Sequence, residues 1–153
     1  MQKKENKVGI VSRNSNISLL SLYDRLKATE NIDQCGAIVS FIGIVRGSTN
    51  TGKKVKALHF ETEKDIALVR LQKIRKKLLE KYKEVKDLII YHVVDDVEPR
   101  AEIMYILAAS SHRSQAFQSV KEAVELIKSE IPIWKKELRE DESVWISSHS
   151  EKK

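Results

Sequence analysis

An ammonium group held close to a second ammonium gains from an anion between them, and when shielded from water it gives up its proton more easily. Such a pairing is within reach in the stretch Lys128-Ser129-Glu130-Ile131-Pro132-Ile133-Trp134-Lys135-Lys136-Glu137. Ala116, Val120, Ala123 and Ile127 recur at helical spacing, so Lys128 sits in the last turn of an amphipathic helix. Pro132 lacks a backbone donor and clashes with the preceding turn, which ends the helix. The bend brings Lys135 back towards Lys128. Taken alone, a Lys-Lys pair reads as a solvated helix end; the proline and Trp134 between the lysines restrict where the chain goes and favour a fixed site.

Further cations fall at the ends of other elements. Arg46 leaves an apolar run, and Ser110-Ser111-His112-Arg113 stands between a strand pattern and the helix that carries Lys128. Unpaired amides and the helix dipole make such a start an anion site, with His112 and Arg113 as side-chain donors. The other reading of those serines is a plain N-cap. Arg46, His112, Arg113, Lys128, Lys135 and Lys136 would together hold a multiply anionic small molecule if they converge. The four histidines, His59, His92, His112 and His149, lack metal-ligand spacing, and His59 and His92 read as core residues within strands. Gly52-Lys53-Lys54 lacks the Walker spacing and its Ser/Thr, and no dinucleotide fingerprint or nucleophile elbow is present.

Several elements must position these groups. Lys7 to Ser12 predicts a strand, and Ser18 caps a helix through Leu19, Leu22 and Leu26. Gly36 to Gly47 is apolar in both phases, with Ala37, Val39, Phe41 and Val45 on one face and Ile38, Ile42 and Ile44 on the other. That pattern predicts a central strand covered on two sides, and Gly43 within it suggests a bulge or a close backbone approach. After the polar loop Gly47 to Lys54 comes a strand, Val55 to Glu61, with Val55, Ala57 and His59 opposite Leu58 and Phe60. Glu63 to Lys83 predicts a helix with the stripe Ala67, Leu71, Ile74, Leu78 and Tyr82 and a basic outer face. Leu88 to Val94 and Ile103 to Ala109 are apolar strands, and Val144 to Ile146 a short docking strand. The order gives an α+β domain with two to three helices around a mixed or antiparallel sheet, residues 1–153 as one unit.

The composition suits that size. At 153 residues the chain buries a core without staples, and its single cysteine, Cys35, excludes an internal disulfide and a cysteine-cage metal site. Small apolar packing is the default role of Cys35. A formal net charge of +6 favours anionic partners without choosing among phosphorylated small molecules, nucleic acid and an acidic protein. No apolar run reaches bilayer length and no signal-peptide core is present, so a cytoplasmic protein is expected.

Four pieces in this order and spacing resemble the large, catalytic subunit family of molybdopterin synthase: GAIVSFIGIVRG from Gly36 to Gly47, VKALHFE from Val55 to Glu61, the SSHR-x-x-AF run from Ser110 to Phe117, and KSEIPIWKKE from Lys128 to Glu137. Trp145 also fits. The resemblance implies an α/β-hammerhead fold and a sulfurtransferase that converts cyclic pyranopterin monophosphate (precursor Z) into molybdopterin. Sulfur would arrive as a thiocarboxylate on the C-terminal glycine of a small ubiquitin-like carrier subunit. The expected assembly is a heterotetramer around a homodimer of catalytic subunits, with no metal or other cofactor. Position by position, Lys128 matches the essential lysine, Lys135 the second catalytic lysine, Arg46 the strand-exit arginine and His112-Arg113 the substrate-contacting pair. Lys136 and Glu137 continue the expected lining of the pocket.

Five positions depart from the family pattern. Glu63 and Ile66 replace a tyrosine and a methionine; Val93 and Asp95 replace an arginine and a glycine after His92; His149 stands where an arginine reaches a neighbouring subunit. Two rival readings are a nucleic-acid-binding module built on the Arg70 to Lys83 helix, and a catalytically silent binder of a ubiquitin-like protein.

Overall fold

The computed structural model of the chain describes residues 5–147. Its elements run β1 (Val8–Val11), α1 (Leu19–Lys27), β2 (Ala37–Ile44), β3 (Val55–Thr62), α2 (Lys64–Lys81), β4 (Val85–Val93), β5 (Asp96–Val97), β6 (Glu102–Ser110), α3 (Arg113–Glu130), β7 (Ile133–Arg139) and β8 (Ser143–Ile146). Two four-stranded sheets result. One has the order β1-β4-β6-β2, with β1 parallel to β4 and the other pairs antiparallel; the second, β5-β3-β7-β8, is antiparallel throughout. The α+β class and three helices agree with the sequence reading; in place of one sheet there are two, because β3 leaves β2 and pairs with β7.

β4 and β6 are the central strands of the first sheet, with Ile89, Ile90, Ile106 and Leu107 wholly buried. α2 and α3 cover one face. Their stripes, Ala67, Leu71, Ile74 and Leu78 on α2 and Ala116, Val120, Ala123 and Ile127 on α3, are buried as the helical spacing requires. α1 and the second sheet cover the other face. Ser18 caps α1 through a reciprocal box with Ser21, at 2.9 and 3.1 Å, while Leu22 and Leu26 face inward. Loss of such a cap costs about 1 kcal/mol. No helix among the described residues is long and apolar enough to cross a membrane.

β2 is an edge strand, not the central strand its composition suggested. Apolar residues in both phases report cover on two faces; they do not report a second hydrogen-bonded neighbour. Val39 and Phe41 pack on the α3 side, Ile38 and Ile42 on the α1 side. The pairing with β6 shifts register between Gly43 and Ile44, and Gly43 is also a close approach, since an added Cβ there would lie 3.2 Å from Met104 Cβ. The extra residue is Ile103 on β6; β2 itself ends at Ile44, and Val45, just past it, packs in the cluster of Ile38 and Ile42 instead of beside Phe41. A second register shift, between Val55 and Ala57, moves Val55 to the side of Leu58 and Phe60.

Two tethers hold the N-terminal strand. At Gly9 an added Cβ would lie 2.3 Å from the Tyr91 ring; its absence lets Tyr91 cross β1 and donate its hydroxyl to the Asn6 carbonyl at 2.7 Å. Asp87 is buried and accepts from Lys7 at 2.7 Å, Arg75 at 2.8 Å and Thr29. Burial pushes its carboxyl up, and the three donors outweigh burial and hold it below the usual range.

The basic face of α2 is partly used inside the molecule. Arg75 also donates to the Leu88 carbonyl at 2.7 Å, Arg70 to the Glu130 carbonyl at 2.7 Å, and Lys81 pairs with Glu122 at 2.8 Å. These partners lie on other elements, not on the helix's own Glu63, Asp65 and Glu80.

Candidate active site

α3 gives way to β7 through Ile131 and Pro132. The Ile131 amide still reaches back to the Ile127 carbonyl at 3.1 Å, and the Thr62 hydroxyl donates to the Pro132 carbonyl at 2.8 Å, pinning the bend to the end of β3. β7 then runs antiparallel to β3, with Lys135 opposite Phe60 and Glu137 opposite Leu58. Side chains alternate along a strand, so Lys135 and Glu137 turn to the inner face with Phe60 and Leu58. Lys136 faces the other way, its ammonium 5.4 Å from the centre of the Trp145 ring.

A cavity of about 420 Å³ opens beside this junction, and Arg46, Lys128, Lys135 and Glu137 all line it. Arg46 comes from just beyond β2. Val45, between them, is buried in the α1-side core, while Arg46 lines the cavity with Lys128. There the Arg46 guanidinium donates to Asn50 at 3.0 Å, which ties it to the following loop. Three cations distant along the chain therefore meet in one hollow.

Lys135 is half-buried, whereas Lys128 and Arg46 are exposed. Burial lowers the Lys135 pKa; Glu137 opposes the shift, and Lys128 and Arg46 add to it. Glu137 is held from its other side by Arg139 at 3.0 Å. A lysine eased towards its neutral form, next to lasting positive charge, suits proton transfer beside a bound anion.

His112 and Arg113 are elsewhere. They sit at the start of α3 and Lys128 near its end, about 22 Å along the axis at 1.5 Å per residue. His112 is the N-cap without a side-chain capping bond, so the serine-cap reading fails; its Nδ1 lies 3.3 Å from Glu84. Lys136 does not join the cavity lining expected of it, because strand alternation separates it from Lys135.

The two strand histidines differ from each other. His59 is not a core residue: it lies on the outer face of the second sheet between Asp96 and Glu61, whose hydrogen bonds raise its pKa. His92 is buried as expected, yet it also lines the cavity. Sequence reasoning missed that, along with the apolar wall of Phe41, Phe60, Met104, Ile127 and Ile131. The only hint was indirect: a histidine among residues as apolar as those of β4 and β6 needs a polar neighbour or an opening, and sequence alone does not say which. Of the departures from the family pattern, Glu63 and Ile66 lie at the exposed start of α2, Val93 is buried, Asp95 accepts from the Arg13 amide at 3.3 Å, and His149 lies outside the described residues.

Comparison with known proteins shows the family. Residues 13–130 match the family model described as MoaE protein. A molybdopterin synthase catalytic subunit from Drosophila grimshawi is 36% identical over 112 residues, 73% of this chain, and the chain spans 31% of that protein's length. One from Taeniopygia guttata is 37% identical over 112 residues, covering 72% of this chain and 71% of the relative. The crystal structure of molybdopterin synthase from Staphylococcus aureus superposes with a TM-score of 0.82 at 30% identity, covering 93% of this chain and 98% of that one. The chain belongs to the MoaE protein family, that of the molybdopterin synthase catalytic subunits.

Proposed function

We propose that this chain is the catalytic subunit of a sulfurtransferase that converts cyclic pyranopterin monophosphate into molybdopterin, with sulfur from the C-terminal thiocarboxylate of a ubiquitin-like carrier. The observation that carries the reading is the meeting of Arg46, Lys128 and Lys135 in one cavity that apolar residues also line. Such a hollow suits a flat ring with a phosphate at one end. The setting is proposed to be the cytoplasm, and residues 1–153 to act as one domain.

Each transfer makes one carbon–sulfur bond and breaks one acyl–sulfur bond. The thiocarboxylate sulfur attacks a carbon of the pterin side chain; water then cleaves the acyl–sulfur bond and returns the tail as a glycine carboxylate. The oxygen that leaves carbon needs a proton and a cation beside it. Lys128 and Lys135 supply these, and Arg46 holds the phosphate. Glu137 keeps Lys135 in place by charge. Two carriers are consumed for each molybdopterin. Mixing the chain with thiocarboxylated carrier and cyclic pyranopterin monophosphate tests the reading: molybdopterin appears, and a carrier ending in an ordinary carboxylate gives none. Carrier binding without product would leave a silent binder.

His112 and Arg113 serve the substrate only from a second copy, since α3 holds them too far from the cavity of their own chain. A twofold dimer would supply each cavity with the partner's pair. Mixing Lys128→Ala with Arg113→Ala protein tests this. After exchange half the dimers are mixed and each has one intact site, so activity recovers to about one quarter of the wild-type value. No recovery would confine each site to one chain.

A further inference from the structure

The cavity has a recognition element apart from its cations. His92 stands in the apolar wall with Phe41, Phe60 and Met104. β4 brings it there: His92 pairs with Met104 on β6 and shares the α3-side face of the sheet with Ile90. The residue is 5% exposed. Its Nδ1 lies 2.7 Å from the Val93 carbonyl, a distance that requires the proton on that nitrogen, so Nε2 keeps a lone pair. Phe60 meets the ring edge-on, 5.4 Å between centroids at 73°, and fixes its plane. Burial lowers the pKa to about 4, so the imidazole stays neutral across ordinary pH and is an acceptor rather than a base.

An acceptor shut into an apolar wall without a partner is destabilising. Among the described residues, Ser110 Oγ is the buried side-chain polar atom in that condition; His92 Nε2 is not, because its ring reaches the cavity. The lone pair is therefore available to whatever fills the cavity.

We propose that His92 is a specificity-determining residue, its Nε2 accepting a hydrogen bond from a ring N–H of a flat heterocycle seated against Phe41, Phe60 and Met104. The proposal rests on the sulfur-transfer reading for the identity of the guest and deepens it. The cations select the phosphate and would take many anions; the imidazole selects the ring, and rejects one that offers an acceptor where an N–H is needed.

Two measurements test this. The first uses wild-type protein with its carrier and the binding of 6-(hydroxymethyl)pterin phosphate against derivatives methylated singly at each N–H position. One derivative should bind at least about tenfold more weakly, and His92→Phe should erase that difference. The second is turnover of cyclic pyranopterin monophosphate. His92→Phe should raise KM about tenfold or more with kcat changed less than about threefold, while His92→Gln, which restores an acceptor, recovers most of the loss. Inhibition by inorganic phosphate should be the same in all three proteins. Wild-type protein that binds every methylated derivative as well as the parent overturns the proposal, and so does a His92→Phe KM within about twofold of wild type. If His92→Phe does not fold, the derivative series on wild-type protein decides alone. Failure of the sulfur-transfer reading shows separately, as a wild-type complex that makes no molybdopterin, while the binding series still judges His92.

Discussion

The second sheet has two faces built from the same few residue types. On the inner face Lys135 and Glu137 line the cavity, close to Lys128 and Arg46. On the outer face Lys136 lies over Trp145, and His59 is held between Asp96 and Glu61 with the Trp145 ring at 6.4 Å. Each face therefore carries a lysine and at least one carboxylate. The difference is enclosure. Inside, burial makes a charge expensive and brings like charges into one hollow, so Lys135 is shifted towards its neutral form. Outside, carboxylates clasp His59 in contact with solvent, and the charged form is favoured. A lysine on the inner face and a histidine on the outer face of one sheet thus have opposite electrostatic fates, and only one face is arranged for chemistry.

The contrast breaks first at Lys128. Lys128→Ala should lower molybdopterin formation by about a hundredfold or more while carrier binding persists, as measured by turnover and by co-elution of the complex. Near-normal turnover would remove Lys128 from the reaction. Lys135→Met follows, with a loss of roughly tenfold to a hundredfold, whereas Lys136→Met should stay within about threefold. Equal effects at 135 and 136 would erase the distinction between the faces.

A smaller effect sharpens the electrostatic half. Because burial, Lys128 and Arg46 lower the Lys135 pKa below 10.5, acylation of Lys135 followed by mass spectrometry should rise at lower pH than for a free alkyl amine. Arg46→Gln removes one cation, and the labelling curve should move back to higher pH. The smallest effect is on the outer face. The His59 pKa is raised above 6.5, so its stabilisation is complete below pH 6.5 and disappears as pH rises through the folded value. Asp96→Asn should therefore destabilise the chain by less than about 1 kcal/mol at pH 6 and by still less at pH 9, read from denaturant midpoints.

Much of this arrangement was legible in the residues. The stripes of α2 and α3, the Ser18 cap, the stop at Pro132 and the close approach at Gly43 follow from local rules, and each is where those rules put it. Lys128 and Lys135 were within reach because one helix end and one bend separate them. The rest depended on pairing. Two faces of apolar residues made β2 look central, since sequence reports what a strand is covered by and not how many neighbours it bonds. Val55 changed sides at a register shift and Val45 just past the end of β2, and Lys136 was grouped with Lys135 although neighbours on a strand point apart. His92 carried too little local signal: a buried histidine and a cavity-lining one look the same until the apolar strands around it are placed.

The extra residue that β6 carries opposite Gly43 and Ile44 makes length and facing separable along that pair. A bulge absorbs one residue, so a chain without it can keep the pairing on either side unchanged. Homologues that differ by one position between Glu102 and Met104 should consequently be aligned by strand partner before being compared by count.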